Sequence, residues 1–555
     1  MTYPILKGET MEFNLKIAGE AGHGLLTIEL GITEILARTG YHFFATKNYM
    51  SRIRGGHNFH MIRIADEAVH ALRGDLWDML LAFDEESERR HRDTLNPDGI
   101  LVGRQDMQEL KQTLQGKVSE PMAVNTALIG MVLAAIGFEP EFLGQAGLQK
   151  NRQAMIEEGF RLAEKKGFLK KHPIEHVSKR FLHFDGNQAL ALGAILGGCQ
   201  FMAAYPMTPA TSIMNYFANA AQDLPIHFEQ AEDEIAAVNM ALGASYAGLR
   251  AMTASSGGGF DLMTEGLSLA GMTETPLVIM VSQRPGPSTG LPTRTEQGDL
   301  NMLIHAGHGE FPRMIFAPGT ITEAIEIARN AFELADELQC PILILTDQYL
   351  ADSVQQLEWQ VPVSVNQRVC QPREESYRRY AMTGNGISPL TYPGIGRALI
   401  RVDSDEHDED GRITEDLDLR NRMVEKRMGR WKIMPPLSKK PTFQGDPGAE
   451  WVVLSWGSNR QIVEEAIREI NKERPFVAAL HFSQVFPLFP EMVSEWGLAG
   501  KKLVCLENNA DGQFAGLLRR DLGLNITCTL LKYNGECFTV QEVCDRILDI
   551  TEEKS

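Results

Sequence analysis

Four stretches between residues 200 and 300 carry residue types that can do chemistry. The first is Ala204-Tyr-Pro-Met-Thr208-Pro209. Pro209 keeps Thr208 out of the helical region. Proline also suits the first position of a helix, with threonine a good cap before it. A helix is therefore predicted to start at Pro209 with Thr208 as its cap, a role that accounts for Thr208 by itself. A hydroxyl held there would also face any anion bound at that helix end. The second stretch is Phe228-Glu-Gln-Ala-Glu232-Asp-Glu234, followed by small residues up to Gly243 and Gly248. The small residues predict a tightly packed helix. Three acids suit its positive end, which explains their charge but not why one would be buried. The third is Thr253-Ala-Ser-Ser-Gly-Gly-Gly259, a turn after a short strand that could approach a ligand closely. The fourth, Arg284-Pro-Gly-Pro-Ser-Thr-Gly290-Leu-Pro-Thr-Arg294, is a Pro/Gly-rich loop leaving the strand Leu277–Val281. Guanidinium forks match carboxylates, so both arginines are candidates for binding one.

These stretches need an α/β scaffold to hold them. Strands followed by turns and helices recur along the chain, and the C-terminal edge of such a sheet is where ligands bind. Phe13 to Ile17 alternates as a strand, Gly19 to Gly24 forms a glycine-rich turn, and an apolar helical pattern runs to Gly40. The turn reads GxxGxG rather than GxGxxG, so a nicotinamide dinucleotide site is disfavoured and a tight strand-to-helix turn suffices. Arg52-Ile-Arg54-Gly-Gly56 fits an anion cradle or a solvated turn. A charged boundary lies near residue 180. A second α/β segment reaches about 360, with strands at Leu277–Val281 and Ile342–Leu345. Residues 361–445 are charged and poor in apolar periodicity, and the acidic run Asp403 to Asp410 reads as a solvated loop. A third αβ pattern starts at Trp451, with a helix from Arg460 and a strand at Leu503–Leu506.

Composition narrows the class. The chain has 555 residues and a formal net charge of −19. That balance argues against a basic nucleic-acid-binding face. No apolar run reaches the length of a membrane helix, and the N-terminus lacks a signal pattern. The seven cysteines are scattered, with no CxxC pair, so neither a zinc nor a cluster ligand run is visible, and a reducing, cytoplasmic setting is expected. The histidines, among them His57, His60, His305 and His308, sit at no recognised ligand spacing, so metal binding by this chain is not expected.

Taken together, the Tyr205-Pro-Met-Thr-Pro stretch, the Glu-rich helix, the triple-glycine turn and Gln283-Arg-Pro-Gly-Pro-Ser-Thr-Gly-Leu-Pro-Thr-Arg294 resemble the 2-oxoacid:ferredoxin oxidoreductases. The match is to an α subunit carrying a fused N-terminal γ domain, and it spans nearly the whole chain. It implies a multi-domain α/β protein: a γ-type domain over 1–180, a thiamine-pyrimidine-binding domain over 186–360, a connector over 361–445 and a transketolase-C-terminal-like domain over 446–555, which contains Glu507-Asn-Asn-Ala-Asp-Gly-Gln513. Two departures stand out. Glu20-Ala21 and His23 interrupt a turn that is glycine-richer in the family, and Pro209 is followed by Ala-Thr rather than Ser-Ser.

The resemblance implies CoA-dependent oxidative decarboxylation of a 2-oxoacid, with electrons passing to ferredoxin, and in many members the reverse, carbon-fixing direction. Thiamine diphosphate supplies the electron sink. A carboxylate must hydrogen-bond the aminopyrimidine ring; the small-residue spacing after it, Gly243 nine and Gly248 fourteen residues on, picks Glu234, with Glu232 as fallback. Tyr205 and Pro206 join them at the cofactor. Thr208 contacts the substrate or its adduct, Arg284 binds the substrate carboxylate, and Arg294 is a second candidate. No Gly-Asp-Gly occurs in the chain to anchor Mg²⁺ and the diphosphate. The family places that motif and a [4Fe–4S] cluster on a smaller β subunit, so an (αβ)₂ heterotetramer is expected. The connector, with Tyr392-Pro-Gly and Glu406-His-Asp-Glu409, looks like that of 2-oxoglutarate members; pyruvate and branched-chain 2-oxoacids stay open. The competing readings are a non-catalytic thiamine-fold scaffold, which predicts loss of the acid and arginines, and a nicotinamide-dependent dehydrogenase. An indolepyruvate-type enzyme would carry cysteine clusters that are absent here.

Overall fold

A computed structural model describes residues 11–50, 55–115, 122–169, 173–177, 179–357, 368, 373–472 and 475–553. Two compact units divide the chain. One is Met1–Phe184 with Asp352–Trp359 and Thr539–Glu542; the other is Asp185–Ala351 with Gln360–Phe538 and Val543–Ser555.

The first unit is built on a seven-stranded mixed sheet. Its strand Glu12–Ala21 runs parallel to Trp77–Ala82 and antiparallel to Gly55–Ala65. The turn expected after this strand leads into the helix Leu25–Thr39, which ends on a left-handed Gly40. Ile28, Ile32, Ile35 and Leu36 of that helix are fully buried, in the one-sided pattern of a helix lying on a sheet. Arg52 and Arg54 lie outside the described residues, so the anion-cradle reading of that segment stands only on sequence.

The second unit holds two sheets. The larger runs Gln484–Phe486, Met314–Phe316, Pro341–Asp347, Leu277–Gln283, Ala251–Ser255, Phe201–Ala204, His227–Gln230. All its neighbouring pairs are parallel except the first. Leu277–Gln283 and Pro341–Asp347 are buried along their whole length, which is why they read as continuous apolar runs rather than alternating ones. The smaller sheet runs Thr442–Gln444, Val477–Phe482, Trp451–Trp456, Lys502–Glu507, Ile526–Leu531.

Two sequence expectations are corrected in this unit. The helix expected from Pro209 starts instead at Thr211, with Ala210 as its cap residue and no side-chain cap. A helix capped by Thr208 would draw the Thr208 carbonyl into its first turn; here that carbonyl accepts a hydrogen bond from Arg284 Nη1 at 2.8 Å. The acidic run is not simply solvated. His407 is fully buried, and Glu406 accepts two hydrogen bonds from Arg427, at 2.9 and 2.8 Å, and another from Arg420. Charge pairing, not an apolar stripe, ties this segment down. The helix Leu417–Met428 does the same at its C-terminal end, where Lys426 Nζ sits 2.8 and 2.6 Å from the two oxygens of the buried Glu274, which Arg430 also contacts.

Candidate active site

The strands of the larger sheet deliver the four chemical stretches to one edge. Phe201–Ala204 ends just before Tyr205, His227–Gln230 just before Ala231 and the acids, Ala251–Ser255 just before the glycines, and Leu277–Gln283 just before Arg284. Because these strands are parallel, all four stretches leave from the C-terminal edge.

The three acids at the second stretch have three different environments. Asp233 is the N-cap, accepting from the Ala236 amide at 2.8 Å. Glu232 is exposed. Glu234, the first residue of the helix Glu234–Tyr246, is 2% exposed, and its Oε1 accepts from Ser255 Oγ at 3.0 Å. The alternative left open between Glu232 and Glu234 is thus a choice between a solvated acid and a buried one.

The helix itself departs from expectation. It packs tightly on one face only, through Ala237, Val238, Ala241, Leu242 and Ser245. Ile235 and Met240 are 46% and 37% exposed on the other, and a Cβ on Gly243 would meet nothing. A helix apolar all round is one that expects cover on both sides.

The glycine turn explains itself by what presses on it. A Cβ at Gly259 would lie 2.4 Å from Glu234 Oε1 and 2.0 Å from Ser255 Oγ. A Cβ at Gly257 would lie 2.1 Å from Asp299 Oδ2. Two carboxyl groups therefore rest against one three-residue turn. Neither approach is open to a residue with a side chain.

Asp299 and Gln297 were not singled out by the sequence. Asp299 lies five residues past Arg294 in the same loop, and its backbone amide donates to Gln283 Oε1 at 2.9 Å. Its Oδ2 is shielded and has no hydrogen-bond partner among the described residues. Burial, with Glu296 and Asp261 nearby, pushes its carboxyl up to about 6, against the opposing pull of Arg284. Gln297, fully buried, accepts from the Asn508 amide at 3.1 Å and Asn459 Nδ2 at 2.8 Å, and donates to the Trp456 carbonyl at 3.1 Å. The Arg284 loop is thus pinned at both ends. The signal that could have found Asp299 was the triple glycine, which announces a close neighbour without naming it.

Of the predicted residues, the structure brings Thr208 and Arg284 into direct contact. Burial pulls the Arg284 guanidinium below its ordinary range, with Asp299 acting the other way. Arg294 stands elsewhere, over Gly535, with Glu536 3.8 Å from its Nη1. That nitrogen is shielded and without a hydrogen bond among the described residues. Tyr205 and Pro206 are exposed.

Residues 192–426 match the family model "pyruvate flavodoxin/ferredoxin oxidoreductase, thiamine diP-bdg", and residues 14–165 match "pyruvate ferredoxin/flavodoxin oxidoreductase". The 2-oxoacid:ferredoxin oxidoreductase subunit alpha of a Sulfolobus species is 30% identical, over 98% of each chain. This chain belongs to the 2-oxoacid:ferredoxin oxidoreductase α-subunit family. The 2-oxoglutarate synthase subunit KorA of Methanocaldococcus jannaschii is 31% identical over 59% of this chain and 87% of its own. Among solved structures, the 2-oxoglutarate:ferredoxin oxidoreductase from Magnetococcus marinus, with 2-oxoglutarate, coenzyme A and succinyl-CoA bound, superposes with a TM-score of 0.88 at 27% identity, covering 98% of this chain and all of that one. The α subunit described here is thus a multi-domain α/β oxidoreductase subunit with a thiamine-diphosphate-binding domain. No described helix is long and apolar enough to cross a membrane.

Proposed function

We propose that this chain is the α subunit of a 2-oxoglutarate:ferredoxin oxidoreductase, and that Glu234, Thr208 and Arg284 form its half of the active site. The observation that carries the reading is the buried Glu234 carboxylate, held by Ser255 against a glycine that makes room for it, on the same sheet edge as the Arg284–Thr208 pair.

The site fits the aminopyrimidine of thiamine diphosphate. A carboxylate taken out of water needs hydrogen bonds, and among the described residues Glu234 has one donor, the Ser255 hydroxyl, leaving acceptor capacity for a ring nitrogen. Thiamine diphosphate, when bound, supplies the electron sink for decarboxylation. This chain's residues hold and orient. Glu234 would hydrogen-bond the aminopyrimidine ring nitrogen, with Glu232 at the solvent side and Tyr205 and Pro206 bordering the cofactor. Arg284 binds the 2-oxoacid carboxylate, and Thr208, fixed through its carbonyl by that same arginine, faces the substrate. Arg294, whose Nη1 has no hydrogen bond among the described residues but lies 3.8 Å from Glu536, stands apart from this pair, so the second cation for the distal carboxylate of a 2-oxoglutarate is either Arg294 or a residue of the β subunit.

Mg²⁺, the diphosphate anchor and a [4Fe–4S] cluster belong to a β subunit in this reading, with CoA as co-substrate, ferredoxin as acceptor and an (αβ)₂ assembly in the cytoplasm. The half-bare face of the Glu234 helix supports it, since Ile235 and Met240 offer apolar surface beside the site. The domain assignment is γ-type over 1–180, thiamine-pyrimidine-binding over 186–360, connector over 361–445 and transketolase-C-terminal-like over 446–555. Co-purification with the partner chain, followed by viologen reduction with a panel of 2-oxoacids and CoA, tests the reading. The highest kcat/KM should fall on 2-oxoglutarate. Preference for pyruvate or a branched-chain acid overturns the substrate, and stoichiometric iron in this chain alone overturns the division of labour.

A further inference from the structure

Gln283 ends the strand Leu277–Gln283, precedes Arg284 in the chain and is fully buried. A side-chain amide taken out of water is costly unless it is hydrogen-bonded, and both ends of this one are. Its Oε1 accepts from the Asp299 backbone amide at 2.9 Å, and its Nε2 donates to the Thr346 carbonyl at 3.2 Å. Thr346 lies on the adjacent parallel strand Pro341–Asp347, in register with Ser282. Asp299 is where the loop opened by Arg284 returns, just before the helix Leu300–His305. One side chain therefore ties three things together: the strand end that carries Arg284, the neighbouring strand and the far end of the loop. Directly after Arg284 the loop folds back, the Leu291 amide donating to the Pro285 carbonyl at 3.1 Å. Arg284 itself reaches out of this clasp to the Thr208 carbonyl at 2.8 Å.

We propose that Gln283 is a positioning residue, which clasps the base of the loop so that Arg284 stands where the substrate carboxylate arrives, and which thereby sets the affinity for the 2-oxoacid without touching it. The inference rests on Arg284 as the carboxylate-binding arginine.

The expected signature follows from how a clasp acts. Without it, Gln297 still anchors the far part of the loop to the Asn508 amide and Asn459. The near part, with Arg284, is released from both Asp299 and the neighbouring strand. Arg284 then holds its place for a smaller fraction of the time, and the apparent affinity for the substrate falls by that fraction. Bound substrate restores the arrangement, so the loss falls on KM and leaves kcat near native. A general loss of packing would instead spread to the cofactor and the co-substrate.

The test is a double-mutant cycle in the enzyme assembled with its partner chain. Gln283→Met keeps the volume and removes both hydrogen bonds. It should raise KM for the preferred 2-oxoacid about tenfold, as for an arginine in place about a tenth of the time. Its kcat should stay within about threefold of native, as for a loss confined to binding, with KM for CoA and the Kd for thiamine diphosphate near native. In an Arg284→Ala background the same change should leave KM within about twofold, because the group it positions is gone. Gln283→Asn keeps an amide one carbon shorter, which leaves it unable to span both partners; it should raise KM in the same way and serves if the methionine variant fails to assemble. A native KM in the assembled Gln283 variant, a second tenfold rise in the Arg284→Ala background, or an equal rise in KM for CoA overturns the proposal. Arg284→Ala alone separates the two claims. Unchanged KM in that variant sinks the Arg284 assignment itself; raised KM there together with native KM in Gln283→Met sinks only the role of Gln283.

Discussion

The residues of this site differ in environment more than in type. Glu232, Asp233 and Glu234 are consecutive or nearly so, yet one is solvated, one caps a helix and one is buried beside Ser255. Only the buried one can hold a ring nitrogen away from competing water. Glu234→Gln should therefore lower kcat by about two to four orders of magnitude, the range for losing a positioned proton-transfer partner. Glu232→Gln should leave kcat within about twofold, as expected for a solvated carboxylate. Steady-state viologen reduction by the two variants checks both; equal losses would mean that burial is not what selects the acid. Arg284→Ala should raise KM for the 2-oxoacid and lower kcat if, as proposed, the guanidinium that holds the Thr208 carbonyl also meets the substrate. Cofactor binding, measured by calorimetry, should stay near native.

At the scale of elements, the glycine turn decides whether the site can form. Gly257 and Gly259 are neighbours but one, and each has a carboxyl pressed against it. Gly259→Ala would set a Cβ against Glu234 Oε1 and Ser255 Oγ, the ends of two side chains that burial and their mutual hydrogen bond hold in place. It should destabilise the protein by about 1–3 kcal/mol, as overpacking does, and should cost activity beyond what the stability loss explains. Urea unfolding and kcat measured on the same preparation check this; native stability with native activity would show that Glu234 retracts freely. The Pro/Gly loop is the complementary device. Its proline and glycine content was legible, but its anchors, Gln283 and Gln297, are amides that bond across loops and strands far apart in sequence.

For the whole molecule, a charged segment without apolar periodicity is held by ion pairs in the interior. Glu274 meets Lys426 and Arg430, all three fully or nearly fully buried. Burial alone would raise the Glu274 carboxyl, but Arg430, Lys426 and Arg379 hold it down to about 2. Its folded value lies below its unfolded one, so its contribution to stability is full above the ordinary carboxylate range and is lost as pH falls from about 5 towards 2. Glu274→Gln leaves buried cations unpaired and should cost about 3–5 kcal/mol at neutral pH. It should also remove the Glu274 share of the acid-induced loss. Thermal unfolding across that pH range checks it, and an unchanged acid profile in the variant would show that the cluster does not report on folding.

The sequence by itself determined the α/β class, the strand cores Leu277–Val281 and Ile342–Leu345, the turn and helix up to Gly40, and the residue types at the sheet edge. These follow from local periodicity, proline and glycine geometry and one-residue chemistry, which need no long-range contact to be read. Tertiary structure alone decided which acid is buried, that the Thr208 carbonyl meets Arg284 rather than a helix, that Asp299 shares the turn with Glu234, and that the acidic run around Glu406 is packed against arginines. Each of these depends on groups far apart in the chain meeting out of water, where a charge or an amide needs a partner that no local pattern encodes.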